Sequence, residues 1–207
     1  MLLDDQPDQQ DTVLKIMLKG AHVNMETLFF GLLLIFFKTN MNFVEIGIVY
    51  YFTNIVGYFL IYLGINKIEK KYEKLNKLKP LAIVMIIHSL IFLLLNLTNN
   101  SPVTMPFSGD LTLVIVLFGT AMIIVGMFVI YYVIHTLMET FKYEHSEIPG
   151  IKRMSQLNTA MTTVFIFTGI SFFINYILII SALLMSALLI LQVIFLIYFY
   201  NNLVKNN

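Results

Sequence analysis

The sequence predicts an all-α integral membrane protein: a bundle of six transmembrane helices with both termini in the cytoplasm. Three observations carry that expectation. Of the 207 residues, 58% are apolar and only 12% are charged. A soluble domain is about half apolar and about a quarter charged, so these charges are too few to coat a water-facing surface. The charges are also segregated, and the 51 residues from Met154 to Val204 contain none. Finally, twelve of the thirteen Lys and Arg residues fall in alternate connections, the asymmetry that keeps basic loops in the cytoplasm.

The chain opens on a polar stretch with Asp4, Asp5, Asp8 and Asp11 around Pro7. That is the reverse of a signal peptide's basic start, so the first helix is expected to stay as an anchor. Residues 1–20 read as an acidic tail and an interfacial helix, and residues 21–207 as one transmembrane domain. In the interfacial helix, Leu14, Met17, Leu18 and Ala21 share one face while Lys15 and Lys19 share another,.

The first span is expected from about Ala21 to Lys38, with its strongest core at Leu28–Phe37. Glu26 inside it leaves an exposed apolar hairpin as the alternative. The second span covers about Phe43 to Ile65. The third starts at Pro80 or Leu81 and ends at Leu97, near the ~17 residues that suffice to cross a bilayer. The fourth covers Leu111 to Met138, and residues Glu139 to Leu157, with Pro149-Gly150, read as a polar connection. The last uncharged stretch is too long for one crossing. About 45 helical residues measure about 68 Å against a hydrocarbon core of ~30 Å. Two spans with a turn near Asn175–Ile180 fit better.

Lys15 and Lys19 precede span one, and Lys67, Lys70, Lys71, Lys74, Lys77 and Lys79 join spans two and three. Lys142, Lys152 and Arg153 join spans four and five, Lys205 follows span six, and only Lys38 falls on the opposite side. The connection Asn66–Pro80 sets six lysines against Glu69 and Glu73, a net +4. It reads as a helical extension of span two, with Glu73 and Lys77 paired at i,i+4. Ile68, Tyr72 and Leu75 would dip into lipid while the six lysines meet anionic headgroups, each worth about 1 kcal/mol.

Polar residues inside the spans are the candidate functional groups. On span two, Gly47, Tyr51, Asn54, Tyr58 and Tyr62 are spaced 4, 3, 4 and 4 apart and share an arc of about 80°. They would line a polar cavity or, more commonly, a packing seam with interhelical hydrogen bonds. On span three, His88, Ser89 and Asn96 share an arc. An ionisable group at that depth is a default functional-site hypothesis such as a proton relay. A neutral imidazole bonded across helices is the competing reading. His22 and Glu26, four apart, read as an interfacial ion pair, Glu45 as a group reaching headgroup water, and His135 beside Tyr131 and Tyr132 as an interfacial anchor. Gly119 and Gly126, Thr159 and Thr163, and Ala182 and Ser186 have the spacing of close helix contacts, within the bundle or in a dimer.

No HExxH, GxSxG, GxxxxGK[ST] or CxxC motif occurs, and there is no cysteine,. These absences argue against a zinc hydrolase, a serine hydrolase, an ATP-driven pump and thiol chemistry, and nothing calls for a cofactor. The stretch GYFLIYLGINKIEKKYEKLNKLKPLAIVMIIHSL, Gly57 to Leu90, resembles a segment of uncharacterised small polytopic membrane proteins of low-GC Gram-positive bacteria. In that family a Gly-Tyr helix end leads to a basic loop and a Lys-Pro start to the next helix. Thr53-Asn54-Ile55-Val56 stands where members often carry Pro-Asp-Phe-Ile. The resemblance implies a polytopic protein of the bacterial cell membrane and brings no activity with it.

The resulting expectation is a non-catalytic accessory, sensor or immunity-like membrane component. Its partners are the anionic bilayer and other membrane proteins or a second copy, not nucleic acid. The alternative is a small transporter or channel for a polar solute or proton, using Asn54, Tyr58, His88, Asn96 and Gln192. A polar cavity shared by Asn54, His88 and Gln192 would favour transport, and a dry packed centre the interaction role.

Overall fold

A backbone in hydrocarbon must satisfy its own N–H and C=O groups, and a helix does so locally. In the computed structural model, which describes residues 25–37, 48–98, 100, 110–144, 149–172 and 178–205, all regular structure is helical. The elements are α1 (Met25–Phe37), α2 (Ile48–Ile68), a 3-10 turn (Glu73–Lys77) and α3 (Leu78–Leu97). They continue with α4 (Asp110–Glu144), α5 (Pro149–Phe172) and α6 (Leu178–Phe199), which closes in a π-helical turn (Tyr200–Val204).

Four of these segments are long and apolar enough to cross a membrane: Ile48–Ile68, Glu73–Leu97, Leu113–Tyr143 and Ile179–Val204. Two of the six expected spans therefore fall short by this measure. The described part of α1 is shorter than the ~17 residues a crossing needs. Helix α5 has 24 residues but is too polar, carrying Gln156, Asn158, Ser155, Ser171 and four threonines. Absence of charge in the sequence is not the same as apolarity.

The outward faces of α3, α4 and α6 are largely apolar. Ile83, Val84, Ile87 and Ile91 on α3, Val114, Leu117, Phe118 and Val125 on α4, and Leu183 and Ile190 on α6 are all exposed. Water would penalise so large an apolar surface, whereas lipid is as apolar as these side chains. Inward, α3 buries Ala82, Met85, Ser89 and Phe92 and α6 buries Leu188, Gln192, Phe195 and Phe199, at the three- and four-residue spacing of one helical face.

Helices α1 and α2 run antiparallel and nearly touch. A Cβ added to Gly31 would lie 2.8 Å from the Gly57 carbonyl oxygen, and one on Gly57 2.6 Å from Ile35 Cγ1. One on Gly64 would lie 2.6 Å from Leu28 Cγ. Only glycine permits this approach, the small-residue contact by which membrane helices gain dispersion energy. On its other side α1 meets α6, with Phe29 against Phe199 and Tyr200, and Phe36 against Phe195.

The basic connection folds differently from the expectation. Helix α2 stops at Ile68 and the chain turns back, so Ile68, Tyr72 and Leu75 are buried in the protein core instead of dipping into lipid, and Leu78 is buried with them. Tyr72 packs edge-on against Phe141 of α4, and Lys74 lies 3.5 Å over the Tyr143 ring. The 3-10 geometry of residues 73–77 removes the helical i,i+4 relation between Glu73 and Lys77. Glu69 instead pairs with Lys79, which also donates to Asn66 Oδ1 at 2.8 Å. Likewise, most of the expected polar connection Glu139–Leu157 is helix, since α4 continues to Glu144 and α5 starts at Pro149. Residues 178–180, expected in the last turn, belong to α6. Residues 1–24, with the acidic tail, interfacial helix and His22, lie outside the described residues, as do Lys38, Glu45 and Gly47.

Ring and side-chain contacts collect the basic ends together. Tyr72 and Lys74 join the connection to the end of α4. The Arg153 guanidinium donates to Tyr198 Oη at 3.2 Å, and Gly150 abuts the Asn202 amide with no room for a Cβ, so the start of α5 meets the end of α6. Phe29 against Tyr200 brings the start of α1 to the same end. All bases among the described residues lie at this end, from Lys67 to Lys79 and at Lys142, Lys152, Arg153 and Lys205. At the opposite ends of these helices the only charged described residue is Asp110.

Replacing Gly31 with Ala is expected to destabilise the bundle by about 1–3 kcal/mol through overpacking, because its closest obstacle is backbone. Gly169→Ala, which meets nothing within 4 Å, is expected to be neutral or slightly stabilising through helix propensity. Unfolding in mixed micelles checks this, and equal effects at the two sites would contradict the α1–α2 contact.

Candidate functional site

Hydroxyl groups on these helices rarely look outward for partners. Thr159 Oγ1 donates to the Ser155 carbonyl (3.1 Å), Thr162 to Asn158 (2.9 Å), Thr163 to Thr159 (2.9 Å) and Thr168 to Val164 (2.8 Å). Ser186 donates to Ala182 at 2.9 Å and Thr140 to Thr136 at 2.8 Å. A hydroxyl folded onto the carbonyl one turn back satisfies itself on its own helix. Longer amide and imidazole side chains can also reach across, as Asn54, His88 and Asn158 do.

They do so in two separate layers. In the first, Asn54 on α2 donates through Nδ2 to Ser89 Oγ on α3, both side chains being buried. One residue along, His88 turns its Nε2 toward the Met122 carbonyl of α4 at 3.2 Å. Gly126, one turn further along α4, makes room for that imidazole: a Cβ there would stand 3.0 Å from His88 Cε1. The sequence expectation of a neutral, cross-bonded imidazole is compatible with this geometry. Phe92 closes the layer, stacked on Tyr51 and 4.6 Å from the His88 ring centre.

In the second layer, Asn158 on α5 donates from Nδ2 to the Tyr131 carbonyl of α4 at 3.3 Å. The Tyr131 hydroxyl and the Gln192 amide of α6 face each other without reaching full hydrogen-bond geometry. Phe165 packs against both Phe128 and Tyr131. Tyr51 Oη, Asn54 Oδ1, Tyr131 Oη and Asn158 Oδ1 are enclosed without a hydrogen-bond partner. Orphaned polar atoms of this kind are uncommon and invite explanation.

The five sequence candidates are thus not gathered into one site. Asn54 and His88 flank one layer, Gln192 belongs to the other, Tyr58 is enclosed in the main apolar core, and Asn96 is half-buried two turns further along α3. Lys67, Lys70, Lys71, Lys74 and Lys77 are exposed, Lys74 over the Tyr143 ring, while Lys79 is engaged by Glu69 and Asn66. His135 is exposed and lies 3.4 Å from Glu139, one turn on. Thr159, Thr163, Ala182 and Ser186 are exposed, so those two small-residue pairs do not lie in the buried core. Gly126 does, and Gly119 is also buried.

Sequence reasoning missed Asn158. It sits among threonines and glutamine, where a polar residue reads as unremarkable. Its signal is positional: Ile151, Met154, Asn158 and Met161 recur at 3, 4 and 3 residues, and all are buried. The glycine seam was also missed, although Gly57 and Gly64 have the same seven-residue spacing as Gly119 and Gly126. No protein-family model, curated protein or solved structure matches the chain.

Removing one partner of the Asn54–Ser89 bridge strands the other, which costs more than replacing both. Ser89→Ala is therefore expected to destabilise more than Ser89→Ala combined with Asn54→Leu, with a coupling of about 0.6–1.7 kcal/mol. A double-mutant cycle measured by unfolding in micelles checks this, and strictly additive effects would contradict the bridge.

Proposed function

We propose that the chain is a six-span protein of the bacterial cell membrane that works without catalysis. It acts as an accessory, sensor or immunity-like component through helix faces and loops that meet other membrane proteins or a second copy. The observation that carries this reading is the enclosure of its polar groups. Asn54 with Ser89, and Asn158 with the Tyr131 carbonyl, lie in different helix contacts. Spans one and five complete the six. Self-bonded threonines lower the cost of α5 in lipid, and α1 is held between α2 and α6. The single basic end supports cytoplasmic termini.

The transport reading has one observation in its favour. The unpartnered atoms of Tyr51, Asn54, Tyr131 and Asn158 are places where water or the polar groups of a solute could bind.

Purified protein in liposomes is expected to show no protein-dependent proton or solute flux, and purification from native membranes to retain a membrane-protein partner. A reporter active only outside the cell, fused after Asn207, is expected to be silent. Flux that Asn54→Leu or Gln192→Leu abolishes would establish the transport reading instead, and an active reporter would reverse the orientation.

A further inference from the structure

A groove of about 460 Å³ runs between the first turns of α5 and the last turns of α6, lined by Arg153, Gln156, Leu157, Ala160, Ile194 and Tyr198. Its two sides follow from helical spacing: residues 153, 156, 157 and 160 share one face of α5, and 194 and 198 one face of α6. Ala160 supplies depth because its side chain ends at Cβ, and Leu157 and Ile194 make the floor apolar. The polar groups gather at one mouth, at the basic end of the bundle.

Arg153 is exposed there, and no carboxylate pairs with it among the described residues. One nitrogen, Nη1, donates to Tyr198 Oη, which holds the planar guanidinium across the mouth. Most of its five N–H donors remain for another acceptor. Lys152 beside it is also exposed, which adds positive charge at the mouth.

We propose that this groove binds an anionic phospholipid, with the phosphate on the Arg153 guanidinium and an acyl chain along Leu157, Ala160 and Ile194. Charge complementarity selects the occupant. A guanidinium fork matches phosphate oxygens in a bidentate way, and the apolar floor beneath it matches a chain joined to that phosphate. Basic pockets between transmembrane helices on the cytoplasmic side are suited to such headgroups. The volume falls in the ~300–1,000 Å³ range of small-molecule sites. This site is separate from the exposed lysines of the α2–α3 connection, which offer charge without an apolar floor. Headgroup depth for Arg153 rests on the topology proposed above.

The test is lipid retention, measured by native mass spectrometry of the full chain released from detergent micelles. The micelles contain phosphatidylglycerol or phosphatidylcholine, with inorganic phosphate as a competitor. Phosphatidylglycerol is expected to stay bound at about one per chain, and phosphatidylcholine about tenfold less. Arg153→Gln should lower phosphatidylglycerol retention by about tenfold, as expected for losing a charge-assisted contact. Ala160→Phe, which fills the groove and leaves Arg153 in place, should do the same, while Lys142→Gln on α4 should change nothing. Two variants with different chemistry keep the test decisive if one of them fails to fold.

Equal retention of both lipids, or retention unchanged in Arg153→Gln and Ala160→Phe, would overturn the proposal. Displacement by millimolar inorganic phosphate would also overturn it, in favour of a free-phosphate site. Retention in micelles does not depend on sidedness, so a reversed reporter result would refute the orientation while leaving this outcome intact.

Discussion

Hydrocarbon offers a polar group nothing to bond to, and that constraint organises this bundle at every level. Backbone groups pair within helices. Hydroxyls pair with the carbonyl one turn behind them, which is how α5 carries its threonines, two of them, Thr159 and Thr163, facing outward. Longer polar side chains reach across to another helix. Asn54, His88 and Asn158 do so, and each marks a helix contact: α2 with α3, α3 with α4, and α4 with α5. The polar residues therefore specify neighbours, while the dispersion energy comes from the apolar side chains around them.

Glycines and aromatics complete the arrangement. Helix α1 is seated by Gly31, Gly57 and Gly64 on one side and by rings on Phe195 and Phe199 on the other. At the basic end, Tyr72, Leu75 and Leu78 plug the bundle from below, and the lysines between them remain outside. One short connection thus closes the core and leaves most of its lysines exposed at the basic end. At the α5–α6 mouth the same economy recurs: Arg153 is steadied by Tyr198, and Gly150 gives Asn202 its place.

Much of this was legible in the sequence, for physical reasons that differ by element. Helices α2, α3, α4 and α6 announce themselves because a crossing needs about twenty apolar residues in a row, a signal that needs no knowledge of neighbours. The single basic end follows from charge counting alone. The Asn54 and Ser89 positions were visible as polar atoms on inward arcs, yet which helix each would meet was not, since that depends on packing. The lysine-rich connection misled because its hydrophobic residues suit a lipid-dipping helix equally well, and only the presence of Phe141 and the α4 end turns them inward. Helix α5 reads as an ordinary span because it carries no charge after Arg153. Its hydroxyls and amides make it a different kind of helix, one whose buried face is set by Ile151, Met154, Asn158 and Met161.

The central claim is that the polar layers are dry helix bridges and not parts of a water path. The chain contains no cysteine, so a single thiol introduced in place of the Ser89 hydroxyl, Ser89→Cys, reports that position alone. In sealed liposomes, a charged thiol reagent that cannot cross the bilayer is added from one side and then from the other, with Lys74→Cys as the accessible control. The account predicts that the Ser89→Cys thiol stays unmodified from both sides until the protein is denatured, while the control reacts at once from one side. Rapid modification of Ser89→Cys in the folded protein from either side would place water against Asn54 and contradict it.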